Sequence, residues 1–100
     1  MTRLEFHPDA LAEYEASVEH YESIQPGLGS RFIASVESAL QSILESPATW
    51  PVLEQDVRRR LTRVFPYAVL YSVEPEYILV IAILHCHRNP GYWQSRVAGT

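Results

Sequence analysis

Hydrophobic and polar positions alternate at the start of the chain, with Leu4 and Phe6 set against Arg3 and Glu5, and this period of two predicts a short strand over Thr2 to Phe6. Pro8 suits a first helical position, and Asp9 lies where the helix dipole favours a carboxylate. A helix is therefore expected from Pro8 to Ser23, with an apolar and aromatic stripe of Leu11, Tyr14, Val18 and Tyr21. Glu13, Glu15 and Glu19 fall largely off that stripe and read as a solvated face. The breaker Gln25-Pro26-Gly27-Leu28-Gly29 follows, and Ser30 reads as the N-cap of a second helix. Phe32, Val36, Ala39, Leu40, Ile43 and Leu44 carry that helix to Ser46, where Pro47 pushes the preceding residue out of helical geometry. So short a connection makes the two helices an antiparallel hairpin sharing one apolar interface.

The pattern breaks from Pro47 to Asp56, which reads as a loop crossing from helices to sheet. Three strands are then predicted. Val57 to Val64 is arginine-rich, Tyr67 to Val73 follows it, and Glu74-Pro75-Glu76 forms a turn into Tyr77 to His85. Simple alternation along the last strand puts Ile78, Val80, Ala82 and Leu84 on one face and Leu79, Ile81 and Ile83 on the other. Both faces are apolar, so this strand should lie inside the sheet and be covered on both sides. The helix pair supplies one cover. The other falls to the C-terminal segment, a dimer mate or a bound partner. The expected fold class is α+β in the order β-α-α-β-β-β, a helical hairpin on a small, mainly antiparallel sheet, with residues 1–100 as one domain.

The composition narrows the function. Of 100 residues, 47% are hydrophobic and 20% charged, the balance of an ordinary globular domain. The lone Cys86 has no partner for an internal disulfide, and no cluster of cysteines suggests structural zinc, which fits a reducing cytoplasm. No apolar run is long enough for a signal peptide or membrane span. The net charge is -4, and since the chain has no lysine, all 8 basic residues are arginines. Broad counterion-displacing contact with nucleic acid is disfavoured by that balance, although a local patch at Arg58, Arg59, Arg60 and Arg63 stands opposite the acidic N-terminal third.

Several segments together carry a resemblance. They are Phe6-His7-Pro8 entering a helix, Tyr21-Glu22 ahead of Pro26-Gly27-Leu28-Gly29, Arg31-Phe32, Ser46-Pro47, and Phe65-Pro66-Tyr67 leading to Tyr71. The last is a final strand ending in His85-Cys86-His87-Arg88-Asn89-Pro90-Gly91-Tyr92-Trp93. In this order they resemble the RelE/ParE toxin superfamily, nearest its ParE-like branch of plasmid stabilisation proteins. The resemblance implies a growth-inhibiting toxin held inactive by an antitoxin that wraps it. RelE-like members look like ribosome-dependent mRNA endonucleases, whereas ParE-like members poison DNA gyrase without being nucleases. The lysine-rich face that RelE-like members turn to ribosomal RNA has no counterpart here, which favours gyrase as target over the ribosome and mRNA. A degenerate member that only binds its antitoxin is a third reading.

Nuclease chemistry would need a base for the ribose hydroxyl, an acid for the leaving oxygen and cations for the charged phosphorane, and its candidates are Arg63, Arg88, His85, His87 and Tyr92. His85 and His87, two apart, would share a strand face with Cys86 opposite, so a metal site lacks a third ligand in sequence. No metal or cofactor is expected. The candidate partner-binding residues are Leu79, Ile81 and Ile83 on the second sheet face, together with Arg59, Arg63 and Arg88.

Overall fold

The computed structural model describes residues 3–88 and 91–97, so Thr2, Asn89 and Pro90 of the segments above lie outside the described residues. Strand β1 (Arg3–Phe6) leads into helix α1 (Pro8–Ile24) and helix α2 (Leu28–Glu45). Strands β2 (Val52–Glu54), β3 (Val57–Leu61), β4 (Tyr67–Val73) and β5 (Tyr77–His85) complete one five-stranded sheet in the order β1-β5-β4-β3-β2. All neighbours are antiparallel except β1, which runs parallel to β5. This is the expected α+β architecture with one strand added.

The added strand is β2, which falls in the segment read as a loop. Glu54 pairs with Val57 across Gln55 and Asp56, whose φ angles of 52° and 62° close a two-residue hairpin. Turns of that kind need left-handed backbone at both central positions and favour Asn-Gly or Asp-Gly, so a Gln-Asp pair gives little signal. Ser30 is likewise not the cap of α2. Gly27 is, at φ 90°, and the Glu22 carboxylate of α1 accepts the N–H groups of Gly27 and Gly29 at 3.0 Å. A Cβ at Gly29 would sit 3.0 Å from the Val18 carbonyl, so the glycine permits the close approach of the two helices. At the other end of the hairpin His7 caps α1, its Nδ1 accepting the Asp9 N–H at 3.1 Å.

The helix pair covers one face of the sheet. Phe32, Val36, Ala39, Leu40 and Ile43 of α2 pack with Val69, Tyr71, Ile78, Val80 and Ile83, while Tyr14, Val18 and Tyr21 of α1 close the side. Leu11, expected on the same stripe, is 45% exposed. On the other face Trp93, 1% exposed, sits over Val57, Ala68, Leu70, Ile81, Ala82 and Leu84.

The division of β5 between these cores corrects the simple alternation. Leu70 pairs with Ala82 but Tyr71 pairs with Val80, leaving Ile81 as an extra residue in a β-bulge. One inserted residue flips every later side chain to the opposite face. Ile83 therefore joins Ile78 and Val80 beneath the helices, and Ala82 and Leu84 join Leu79 and Ile81 beneath Trp93. The predicted shared face of Leu79, Ile81 and Ile83 does not exist.

Candidate partner-binding surface

One end of the sheet gathers the residues singled out for function. There β3 stops, β4 begins and β5 ends, with Tyr67 opposite His85 and the Cys86 N–H donating to the Pro66 carbonyl at 2.8 Å. Arg63 and Arg88 thus lie at the same end, but in different grooves. His85 and Arg88 line a cavity of about 310 Å³ with Tyr67 and the small residues Ala12, Ala16 and Ser17 of α1. Arg63 lines another of about 340 Å³ against α2, shared with Arg31.

The groups nearest Arg88 are arranged for packing. The His85 ring stands edge-on to Tyr67, with centroids 5.1 Å apart, and its Nδ1 accepts the His87 N–H at 3.1 Å. That contact assigns the proton of a neutral His85 to Nε2. The Arg88 guanidinium carbon lies 4.1 Å from the Tyr92 ring centroid and that of Arg96 lies 4.9 Å away. Burial, with the Glu13 carboxylate adding to it, pushes the Tyr92 phenol up to about 12, against the pull of Arg88 and Arg96. A phenol held there is a poor proton donor or acceptor near neutral pH. Among the described residues no group of three or more His, Cys, Asp or Glu side chains could hold a metal.

Sequence reasoning missed Arg96 and misplaced Glu13. Arg96 donates from Nη1 and Nη2 to the two Glu13 carboxylate oxygens, each at 3.0 Å, and from Nη1 to the Ile81 carbonyl at 3.1 Å. Glu13 in turn accepts the Ile83 N–H at 3.2 Å. Strand β1 ends at Phe6, paired with Val80, so beyond that point β5 has no strand on this side. The Glu13–Arg96 pair supplies the missing donor and acceptor at the β5 edge. Both side chains are largely enclosed, 14% and 11% exposed. A signal for Glu13 was present, because Ala10, Glu13 and Ser17 recur at helical spacing on the side of α1 toward β5. Arg96 had none, since only the folded tail brings it there. At the tail's other flank Gln94 donates to Glu54 of β2, so the segment from Gly91 to Val97 spans the sheet face between two ties.

The arginine run is mostly structural. Arg58 donates from Nη1 to the carbonyls of Ala48 and Trp50, at 3.1 and 2.6 Å. Arg60 donates to the Ser42 hydroxyl at 3.0 Å and lies 4.1 Å from the Trp50 ring centroid. Arg59 points to the opposite face and is exposed, as are Arg63 and Arg88. Leu79 and Ile81 lie under the C-terminal tail, and Ile83 under the helices.

These features define a small α+β domain whose exposed arginines and grooves suit contact with another macromolecule. The family model for the ParE toxin of type II toxin-antitoxin system, parDE, matches residues 4–90, and the chain belongs to that family. The chain is also similar in fold to a solved structure described as the chromosomal ParDE TA system from P. aeruginosa. That likeness has a TM-score of 0.74 and 18% identity, and covers 85% of this chain and 96% of the other. No curated protein sequence matches.

Proposed function

We propose that this chain is the toxin of a type II toxin-antitoxin module, that it inhibits growth by binding DNA gyrase rather than by cutting RNA, and that a cognate antitoxin neutralises it. Family membership supports the toxin reading. The observation that carries the choice of mechanism is the state of the residues around Arg88. A ribonuclease needs an acid, a base and a free cation converging on one phosphodiester. Here the Arg88 guanidinium is stacked on Tyr92, Tyr92 is held as a phenol, and Arg63 lies in a separate groove. Arg59, Arg63 and Arg88 are exposed and suit contact with acidic protein surface. Because the second face of the sheet is covered by the chain's own tail, the antitoxin has no need to cover Leu79 and Ile81. It engages the grooves at the sheet end and the outer hairpin. A cytoplasmic location follows from a gyrase target, and the exposed free thiol of Cys86 is compatible with it. Among the described residues no helix is long and apolar enough to cross a membrane.

Controlled expression without antitoxin, followed by assays of gyrase supercoiling and ribosome-bound mRNA, tests the proposal. Inhibited supercoiling with intact mRNA is expected, and in Arg88→Ala the inhibition should weaken yet return at higher protein concentration. Cleaved mRNA with unaffected supercoiling would establish the nuclease instead. Normal growth would leave only antitoxin binding.

A further inference from the structure

The five-stranded sheet has two outer strands, β1 and β2, and they differ as edges. Strand β2 is three residues long and its register with β3 slips between Val52 and Glu54, features that blunt an edge against pairing. Strand β1 keeps an unbroken parallel register with β5 over all four of its residues, Arg3 to Phe6, and contains neither proline nor bulge. The His7 N–H donates to the Val80 carbonyl at 2.9 Å, so the backbone groups of His7, Glu5 and Arg3 turn toward β5. By alternation those of Leu4 and Phe6 turn outward. Among the described residues no other segment pairs with them there.

The side chains of β1 carry a charge pattern that selects its partner. Leu4 and Phe6 are half-buried against the core beneath the helices, whereas Arg3 and Glu5 lie on the opposite face, 60% and 50% exposed. The ion pair within the strand, 3.5 Å from Arg3 Nε to Glu5 Oε2, is solvated and holds the two only weakly. A two-fold axis normal to the sheet would join two copies edge to edge, each β1 antiparallel to the other. Residues whose backbone turns outward must then oppose one another, which leaves few registers. One sets Arg3 against Arg3, another sets Glu5 against Glu5, and direct opposition of like charges is destabilising. A register with Phe6 on the axis brings Pro8, which has no N–H, opposite Leu4. The register with Leu4 on the axis avoids all three conflicts and sets Arg3 of each copy against Glu5 of the other, twice over.

We infer that β1 is a self-association edge, which pairs antiparallel with β1 of a second copy about a two-fold axis at Leu4 and exchanges Arg3–Glu5 ion pairs across it. The two sheets become one continuous sheet with both helical hairpins on the same side. Because the paired strands are antiparallel, the sheet ends that carry Arg63 and Arg88 point in opposite directions, and both copies keep those grooves open. The inference goes beyond the proposed function and does not depend on gyrase being the target. Contact is confined to one short strand from each copy, well below the roughly 1,600 Å² of a standard interface, so the dimer is weak and forms only as concentration rises.

The test is sedimentation equilibrium of the full chain without an N-terminal tag, from about 1 μM to about 1 mM, where the mass should climb from 11.4 kDa toward twice that value. Arg3→Glu sets glutamate against glutamate and Glu5→Arg sets arginine against arginine, so each alone should weaken association by about 10-fold or more. The two variants mixed should form a heterodimer, and the doubly exchanged chain, Arg3→Glu with Glu5→Arg, should regain the parent affinity, because both restore opposite charges in the same register. Both side chains are exposed, and circular dichroism should show every variant folded. Hydrogen exchange at the Leu4 N–H should slow as concentration rises, whereas the Glu5 N–H, turned toward β5, should not respond. A mass of 11.4 kDa throughout, association indifferent to charge reversal, mixed variants that stay apart, or concentration-dependent protection at β2 in place of Leu4 would each overturn the inference.

Discussion

Removal of either member of the Glu13–Arg96 pair tests whether the C-terminal tail is part of the fold or an ornament upon it. Arg96→Ala deletes two charge-assisted hydrogen bonds of 3.0 Å and leaves the Ile81 carbonyl without its donor. Charge-assisted bonds contribute about 1.5 to 3 kcal/mol each at best, and the two are neither fully buried nor independent. A loss of about 2 to 4 kcal/mol is therefore expected, a large share of the roughly 5 to 15 kcal/mol typical of a domain. Glu13→Ala should cost a similar amount, because it leaves the Ile83 N–H unpaired and Arg96 with Asp9, at 3.7 Å, as its remaining carboxylate beside the Ile81 carbonyl and the Tyr92 ring. In the double variant the losses should fall short of their sum by about 1 to 2 kcal/mol, the coupling expected of residues in direct contact. Urea denaturation followed by tryptophan fluorescence reads all four proteins, with midpoints falling by about 1 to 2 M. Hydrogen exchange at Ile83 supplies a local readout that should accelerate more than the global stability change requires. Single losses within about 0.5 kcal/mol of zero, adding without coupling, would refute the account, for that is how a solvated surface pair behaves.

Trp93→Ala should cost about 3 to 5 kcal/mol and increase binding of a hydrophobic dye, because it uncovers the second core; unchanged dye binding would contradict that assignment. The paired substitutions Gln55→Asn and Asp56→Gly should stabilise the β2–β3 hairpin by about 1 kcal/mol, read as a raised urea midpoint, since both positions have left-handed backbone. Alkaline pH should destabilise the protein: burial holds Tyr14 and Tyr92 at about 12, above their ordinary 10.0. Their contribution is complete below pH 10 and is lost as pH rises through 12, because the unfolded chain releases these protons first. Urea midpoints across that interval should fall less steeply in Tyr92→Phe, and an identical slope would remove Tyr92 from the account.

The periodic elements were legible in the chain because local stereochemistry decides them. Pro8 opened α1, the residue before Pro47 closed α2, and Glu74-Pro75-Glu76 separated two strands whose bounds, Tyr67–Val73 and Tyr77–His85, were read from the pattern alone. The two-sided apolar strand also announced that a second cover was needed. What covers it was a tertiary matter: Trp93 closes that face, and Arg96 reaches Glu13, far away in sequence. The bulge at Ile81 was equally hidden, since an unbroken apolar run looks the same in either register, and only pairing with β4 fixed which side chains turned toward the helices. Strand β2 went unseen because its turn lacks glycine, and Glu22 as the carboxylate at the start of α2 because the hairpin must first close to bring it there. Arg63 and Arg88 share one end of the sheet because each follows a strand, β3 and β5, that runs antiparallel to β4. That they occupy separate grooves, one lined by Val64 and α2 and the other by Tyr67 and α1, was decided by how the two helices lie across that end.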